Sequence, residues 1–331
     1  MSRSVKLLTI ILPSLFLGLL SGHYFWPRVS RGVIVRDMDS QYNLINPILT
    51  CEVAPEDTTF PELSSLRTGL KDIANKAKSE RKLESVDVYF RGLQSGRWIE
   101  FGDQDNYAPA SLLKVLTAIA HLRLEEINPG HLKQVVQYTE QTDIGGLENN
   151  VEETSQIKLG QWYTIRELLE RLLAYSDNQS NNLLIDNVDS TELAETYSNL
   201  GISMSDSAPA VLNPKTYSLL FRVLYNATYL SRANSEEILQ MMTKSNFRDG
   251  LVAGLPDKLP VAHKFGARTL AREENTESRV ELHDCGIVYY PEHPYFLCVM
   301  TRGYDYNDLG GVIAEVSRAA YRWQDDFWTK R

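Results

Sequence analysis

The chain has 331 residues, 34 Lys plus Arg against 43 Asp plus Glu, and a formal net charge of −9. With 43% apolar and 23% charged residues it is not a largely disordered polymer, and its length is ample for a packed core. The acidic balance excludes a general nucleic-acid binder, which needs basic surface against phosphates, and three cysteines exclude a disulfide scaffold.

Composition is uneven along the chain. Leu7 to Trp26 contains no Asp, Glu, Lys or Arg. Twenty residues at about 1.5 Å each span about 30 Å, one hydrocarbon thickness. Tyr24, Phe25 and Trp26 stand where interfacial aromatics belong. A signal peptidase site needs small residues at −3 and −1. Cleavage after Gly22 or Ser21 would put Leu20 or Leu19 at −3, so an uncleaved signal-anchor over 1–26 is the expectation. Arg3 and Lys6 flank one side and Arg28, Arg31 and Arg36 the other, which leaves orientation open on charge alone. Residues 27–60 show no helical or strand period, are punctuated by Pro27, Pro47 and Pro55, and read as a tether. Residues 61–331 form the folded unit.

In that unit, Leu63, Leu66, Leu70, Ile73 and Ala77 predict a helix from Pro61. Val86, Val88 and Phe90 alternate with polar neighbours as a half-buried strand, and a turn at 94–97 returns it as Trp98–Phe101. Residues 112–124 are apolar almost all round, the pattern of a buried central helix. Leu132 to Thr154 is polar and carries no strong period. Thr164 and Glu167 form a capping box before a helix with Ile165, Leu168, Leu169, Leu172 and Leu173 on one face. A further helix follows Asp189 and stops at Gly201, and two more cover 215–230 and 235–243. Strands are expected at 261–266, 279–290 and 295–301, then a last helix carrying Leu309, Val312, Ile313, Val316, Ala320 and Trp323. Strands at both ends of the unit can pair into one antiparallel sheet flanked by helices. The helical middle then forms an all-α lobe, giving an α+β fold with a cleft between lobes.

Ser111-Leu112-Leu113-Lys114 opens the buried helix. A serine hydroxyl is a weak nucleophile without a base, and a lysine three residues on lies one turn away on the same face. Burial lowers an amine's pKa toward that of a usable base. The helix N-terminus also offers free N–H groups to a developing oxyanion. Ser79…Lys82 and Ser155…Lys158 match the same spacing, but neither begins a buried helix. Ser176-Asp177-Asn178 occupies an inter-helix turn, where a hydroxyl and a carboxamide can face a cleft, although such residues are also common caps. Lys264-Phe265-Gly266 sits on a predicted strand, where the lysine can attract a carboxylate and the glycine admits close approach. Spacings for a metal site, such as His-x-x-x-His or Cys-x-x-Cys, are absent. Cys285 and Cys298 face each other if 289 pairs with 294 in the last hairpin. Two buried thiols are the preferred reading there, with a disulfide the alternative outside the cytoplasm.

Taken in order, the three short motifs resemble the Ser-x-x-Lys, Ser-Asp-Asn and Lys-Thr-Gly boxes of the penicillin-recognising serine enzymes, which include class A β-lactamases and D-Ala-D-Ala peptidases. The resemblance spans roughly residues 61–328 and includes the Tyr175 and Val261-Ala262-His263 contexts. It implies a serine hydrolase needing no metal or cofactor. Ser111 would be acylated with Lys114 as base, Ser176 would relay the proton, Asn178 would bind the substrate amide and Lys264 its carboxylate. The N–H groups of Ser111 and Ala267 would form the oxyanion hole, with Gly266 between Lys264 and Ala267 on the strand edge. The substrates implied are β-lactams or acyl-D-Ala-D-Ala-like cell-wall peptides, which places the domain outside the cytoplasmic membrane. Two departures follow. Phe265 stands where the family usually has Thr or Ser, and Pro209, ahead of Leu212-Asn213, stands where class A β-lactamases carry a deacylating glutamate. Asp206 is the nearest acid. The implied behaviour is a penicillin-binding peptidase with slow deacylation; a non-catalytic cell-wall-peptide binder is the other expectation.

Overall fold

The computed structural model describes residues 34–36, 42–46, 48–51, 60–139, 156–202, 211–270 and 277–330. The expected anchor, and the segment holding Asp206 and Pro209, lie outside these. Among the described residues no helix is long and apolar enough to cross a membrane. Two compact units divide the chain: residues 1–35 with 50–58, and residues 36–49 with 59–331. Strands β1 (Ile34–Arg36) and β2 (Ile48–Cys51) pair in a two-stranded sheet of their own.

The second unit is built on a five-stranded antiparallel sheet in the order β4-β3-β9-β8-β7. These are β3 (Ser85–Gly92), β4 (Trp98–Gly102), β7 (Val261–Thr269), β8 (Val280–Val288) and β9 (Tyr295–Gly303). The expected assembly of N-terminal and C-terminal strands therefore holds. Strand β3 departs from the half-buried reading, because nearly all of it is buried. It lies between β4 and β9 with apolar packing on both faces. Val86, Val88 and Phe90 join the cluster with Leu66 and Leu70 of helix α1 (Ser64–Ser79) and Ile313 of the last helix. Tyr89 faces the other cluster, made largely by the helical lobe.

That lobe contains α2 (Lys114–Ile127), α3 (Ile165–Ala174), α4 (Asn178–Asp186), α5 (Ser190–Asn199), α6 (Pro214–Tyr225) and α7 (Arg232–Thr243). Helix α8 (Tyr306–Thr329) closes the chain against the opposite face of the sheet. Helix α2 is central, as its all-round apolar sequence requires: its first nine residues, Lys114 to Leu122, are all buried. Starts and stops follow local chemistry. Thr164 and Glu167 make the reciprocal capping box of α3, Asp189 accepts from Thr191 and Glu192 at the start of α5, and Gly201 beyond its end takes φ +74°. A short sheet was not foreseen. Strands β5 (Val135–Gln137) and β6 (Trp162–Thr164) pair antiparallel, three residues each, too short for alternation to register.

Two expectations need correction. The 27–60 stretch, read as a tether without strand period, contains β1 and β2, and its residues 42–46 dock on the folded unit. The Glu236 carboxylate accepts from the N–H groups of Asn43 (3.1 Å), Leu44 (2.8 Å) and Ile45 (3.1 Å), and Ile45 is buried. Cys285 and Cys298 stand opposite each other in the predicted register, but as a disulfide rather than two thiols, with Cα atoms 3.9 Å apart. Direct cross-strand pairing in a fixed sheet holds the two sulfurs within bonding reach.

Candidate active site

The nucleophile region is held by the loop that precedes it. Tyr107 exchanges backbone hydrogen bonds with Leu212 and donates its hydroxyl to Asp87 Oδ2 at 3.0 Å. Ala108 N–H donates to Glu281 Oε2 at 3.2 Å. His283 is wholly buried; its Nδ1 accepts from Thr301 N–H, so Nε2 carries the proton it donates to Ala108 O at 3.1 Å. Burial holds this imidazole down to about pKa 4, which keeps it neutral as the geometry demands. Ala110 then takes φ +46°, a costly conformation for a residue with a Cβ. The 3-10 turn Ala110–Leu113 carries Ser111 and runs directly into α2. Tyr217 on α6 fixes this turn by donating to Leu112 O at 2.8 Å.

One turn on, Lys114 is 5% exposed. Its Nζ donates to Ser176 O and Asn178 Oδ1, both at 2.5 Å, and to Ser176 Oγ at 3.3 Å. Burial lowers its pKa to about 7, against the opposing charge of Asp177. Ser176 is bent into the left-handed region at φ +58°, the conformation that turns the chain between α3 and α4. Asp177 caps α4, accepting from Gln179 and Ser180 N–H and from Ser180 Oγ at 2.6 Å.

Lys264 enters from β7. Its Nζ donates to Ser176 Oγ at 2.7 Å and to Phe265 O at 2.9 Å, and only 1% of the residue is exposed. Burial first, and then Lys114, push its pKa well below the ordinary lysine range, with Asp284 opposing. Gly266 brings β7 against the nucleophile turn. A Cβ there would lie 2.9 Å from Pro109 O and 3.2 Å from Leu112 Cγ, so any larger residue would force the strand away from Ser111. Ala267 follows on the same sheet edge, half-buried.

The structure thus brings together Lys114, Ser176, Asn178 and Lys264 at the start of α2, just beyond the 3-10 turn that carries Ser111, with Gly266 packed behind that turn. Among the described residues no hydrogen bond joins Lys114 to Ser111. The resemblance pointed Lys264 at a substrate carboxylate; here its Nζ is turned inward onto Ser176. Phe265, the next residue on β7, brings its ring to 4.4 Å from Lys264 Nζ and stacks on Phe247 with ring centroids 4.2 Å apart and planes at 17°. Sequence reasoning missed Asp177 as the charge beside Lys114. It also missed the buried pair His263 Nδ1–Asp284 Oδ1 at 2.8 Å, which sits on β7 next to Lys264. The nearness of Asp284 to two histidines in the sequence was the available signal.

This arrangement can move a proton between a serine hydroxyl, two desolvated amines and a second serine. None of the curated proteins compared matches the chain. Among solved structures, an acyl-enzyme complex of a PBP-A mutant with penicillin G is similar at TM-score 0.64 and 21% identity, over 81% of this chain and 100% of that one. A β-lactamase from Chitinophaga pinensis is similar at TM-score 0.66 and 22% identity, over 78% and 98%. A class A β-lactamase from Mycobacterium abscessus is similar at TM-score 0.63 and 20% identity, over 77% and 98%. These likenesses concern the fold. The model of the "Beta-lactamase enzyme family" matches residues 66–324, most of the chain and all three boxes, and the protein therefore belongs to that family of serine hydrolases.

Proposed function

We propose that this protein forms a Ser111 acyl-enzyme with β-lactams or acyl-D-Ala-D-Ala-like peptides and releases the acyl group slowly. The observation that carries the reading is the relay Lys114 Nζ–Ser176 Oγ–Lys264 Nζ, 3.3 Å and 2.7 Å long, at the N-terminus of the Ser111 helix. Lys114, with a pKa of about 7, takes the Ser111 hydroxyl proton as the oxygen attacks the substrate carbonyl. The carbonyl oxygen gathers charge against the N–H groups of Ser111 and Ala267. The C–N bond then breaks, and Ser176 passes the proton to the leaving nitrogen, its own being replaced from Lys114. Asn178, whose Oδ1 orients Lys114, offers its amide nitrogen to the substrate backbone. No metal or cofactor enters the cycle.

Pro209 in place of a deacylating glutamate supports a penicillin-binding peptidase rather than a resistance enzyme. The uncharged Leu7–Trp26 stretch serves as a single-pass anchor in this reading. The domain from residue 61 acts outside the cytoplasmic membrane on peptidoglycan peptides or β-lactams, and residues 27–60 connect the two.

The test is intact-mass spectrometry of the full chain in detergent with benzylpenicillin. A persistent adduct of the whole penicillin mass, absent in Ser111→Ala, is expected. A transient adduct with turnover would overturn slow deacylation. Failure to acylate, with binding of cell-wall peptide retained, would replace the enzyme reading by a peptide-binding module.

A further inference from the structure

We infer that Phe265, stacked on Phe247, makes the β7 side of the cleft selective for substrates that present a neutral, apolar group beside Lys264 rather than a carboxylate. The inference rests on the acyl-transfer reading above and narrows its substrates to those β-lactams or peptides whose carboxylate is absent or masked.

The cation that would hold an anion is closed off. Nζ of Lys264 has three directions to satisfy as an ammonium. Ser176 Oγ takes one and Phe265 O another. The face of the Phe265 ring covers the third side, its centroid 4.4 Å from Nζ, within cation–π range. A carboxylate could reach Nζ only by displacing one of these partners in a place that is 1% exposed.

The aromatic cover is braced. Phe265 is 6% exposed, and Phe247, which backs it, is fixed by the turn at Gly250. A Cβ at Gly250 would lie 2.7 Å from Phe247 Cε1 and 2.4 Å from Asp284 Oδ2. Opening the stack therefore requires moving the 247–250 turn as well as a side chain. Asp284 adds charge of the wrong sign for an anion. It is the cross-strand partner of Phe265, is buried, and accepts from Leu251 N–H at 2.9 Å as well as pairing with His263. A flat apolar or esterified group meets none of these penalties and gains contact with the rings.

The probe pair is benzylpenicillin and its methyl ester, which differ in the charge of one group. Second-order rates of Ser111 acylation are measured by intact mass on the full chain, alongside labelling of Ser111 by a fluorophosphonate. Each acylation breaks the lactam C–N bond, forms the serine ester and moves the serine proton to the lactam nitrogen. The ester is expected to react about tenfold faster than the acid or better. In Phe265→Thr the preference should reverse toward the acid, and in Phe265→Tyr, which keeps the ring, it should persist. Fluorophosphonate labelling of each variant reports that its site is intact, and a variant that does not label is replaced by Phe247→Ala, which should also shift the ratio toward the acid. If the acid reacts faster in the unaltered protein, or the ratio ignores Phe265 and Phe247, the inference falls while acyl transfer stands. If Ser111 takes the fluorophosphonate but neither penicillin, both fall together.

Discussion

A lysine at its ordinary pKa is protonated at neutral pH and is no base. Lys114 escapes this because burial against Ser176 and Asn178 brings it to about 7. The acylation rate should therefore rise with pH along a limb centred near 7, read from a pH profile of the second-order constant. Lys114→Arg cannot shed its proton at any accessible pH, so it should lose that limb and about 10²–10⁴ of the rate, the usual share of general acid–base catalysis. A profile flat from pH 5 to 9 would remove Lys114 as the base. Gly266 makes a second prediction at this scale. Gly266→Ala drives a Cβ toward the Pro109 carbonyl, a backbone atom that cannot swing aside. Overpacking of this kind costs about 1–3 kcal/mol, and since the strained contact is the nucleophile turn itself, acylation should fall more steeply than stability. Urea unfolding and acylation rate, measured together, separate the two.

Between elements, buried polar pairs act as joints. His121 on α2 donates from Nε2 to Leu184 O on α4 at 3.0 Å, so its Nδ1 accepts from His131 Nε2 at 2.9 Å. His121 thus ties α2 both to α4 and, through His131, to the 3-10 turn that follows α2. Burial, and then His131, hold His121 down to about pKa 4, and burial lowers His131 as well. Between the ordinary histidine pKa and 4 the unfolded chain binds more protons than the folded one. Stability contributed by the pair is then full above about pH 6.5, the unperturbed value, and is lost as pH falls toward 4. Denaturant midpoints should decline over that window, and His121→Asn should flatten the decline. The Glu236 joint makes a separate prediction. Glu236→Ala leaves the N–H groups of residues 43–45 without their acceptor, a loss of about 1–3 kcal/mol, and should open the 42–46 segment to proteases. A chain begun at residue 61 should show the same loss. Neither that joint nor the β5–β6 pair was legible in the sequence: three-residue strands are too short to show a period, and a carboxylate waiting for backbone amides about 190 residues away leaves no local pattern. The helices and the last hairpin were legible, because their caps and alternation are local chemistry. Strand β3 was found but misjudged, since alternation reports one wet face and here a helical layer covers each side.

At the scale of the whole molecule, the site is assembled from stretches near residues 111, 176 and 264. Each was ambiguous alone, and only their order along the chain, through family resemblance, joined them before the fold did. The contacts of Lys264 with Ser176 and of Phe265 with Phe247 were not legible in the sequence, because partners from distant stretches meet only once the sheet is built. The Cys285–Cys298 disulfide crosses the same sheet one strand in from β7, opposite Lys264 in register. It closes a loop of 13 residues in sequence separation. Replacing both cysteines by alanine should lower unfolding free energy by about 2–3 kcal/mol, measured in urea with and without reductant, and the unaltered protein should lose a similar amount when reduced. A bonded pair accords with an oxidising compartment, as the proposed location outside the membrane requires.

Strand β7 ends the five-stranded sheet; among the described residues no further strand pairs with its outer edge, along which the proposed reading lays the substrate. An edge left bare for a ligand is equally bare to the edge of another molecule. The molecule cannot cover it with a further strand or bulge it away without closing its own cleft. Its remaining protection is at the far end of the strand, where Arg268 and Thr269 are exposed and put a charge and a polar group on the rim. Catalytic access and colloidal solubility are thus set by the same nine residues. Changes that widen the cleft along β7 should be watched for sheet-to-sheet association as closely as for altered activity.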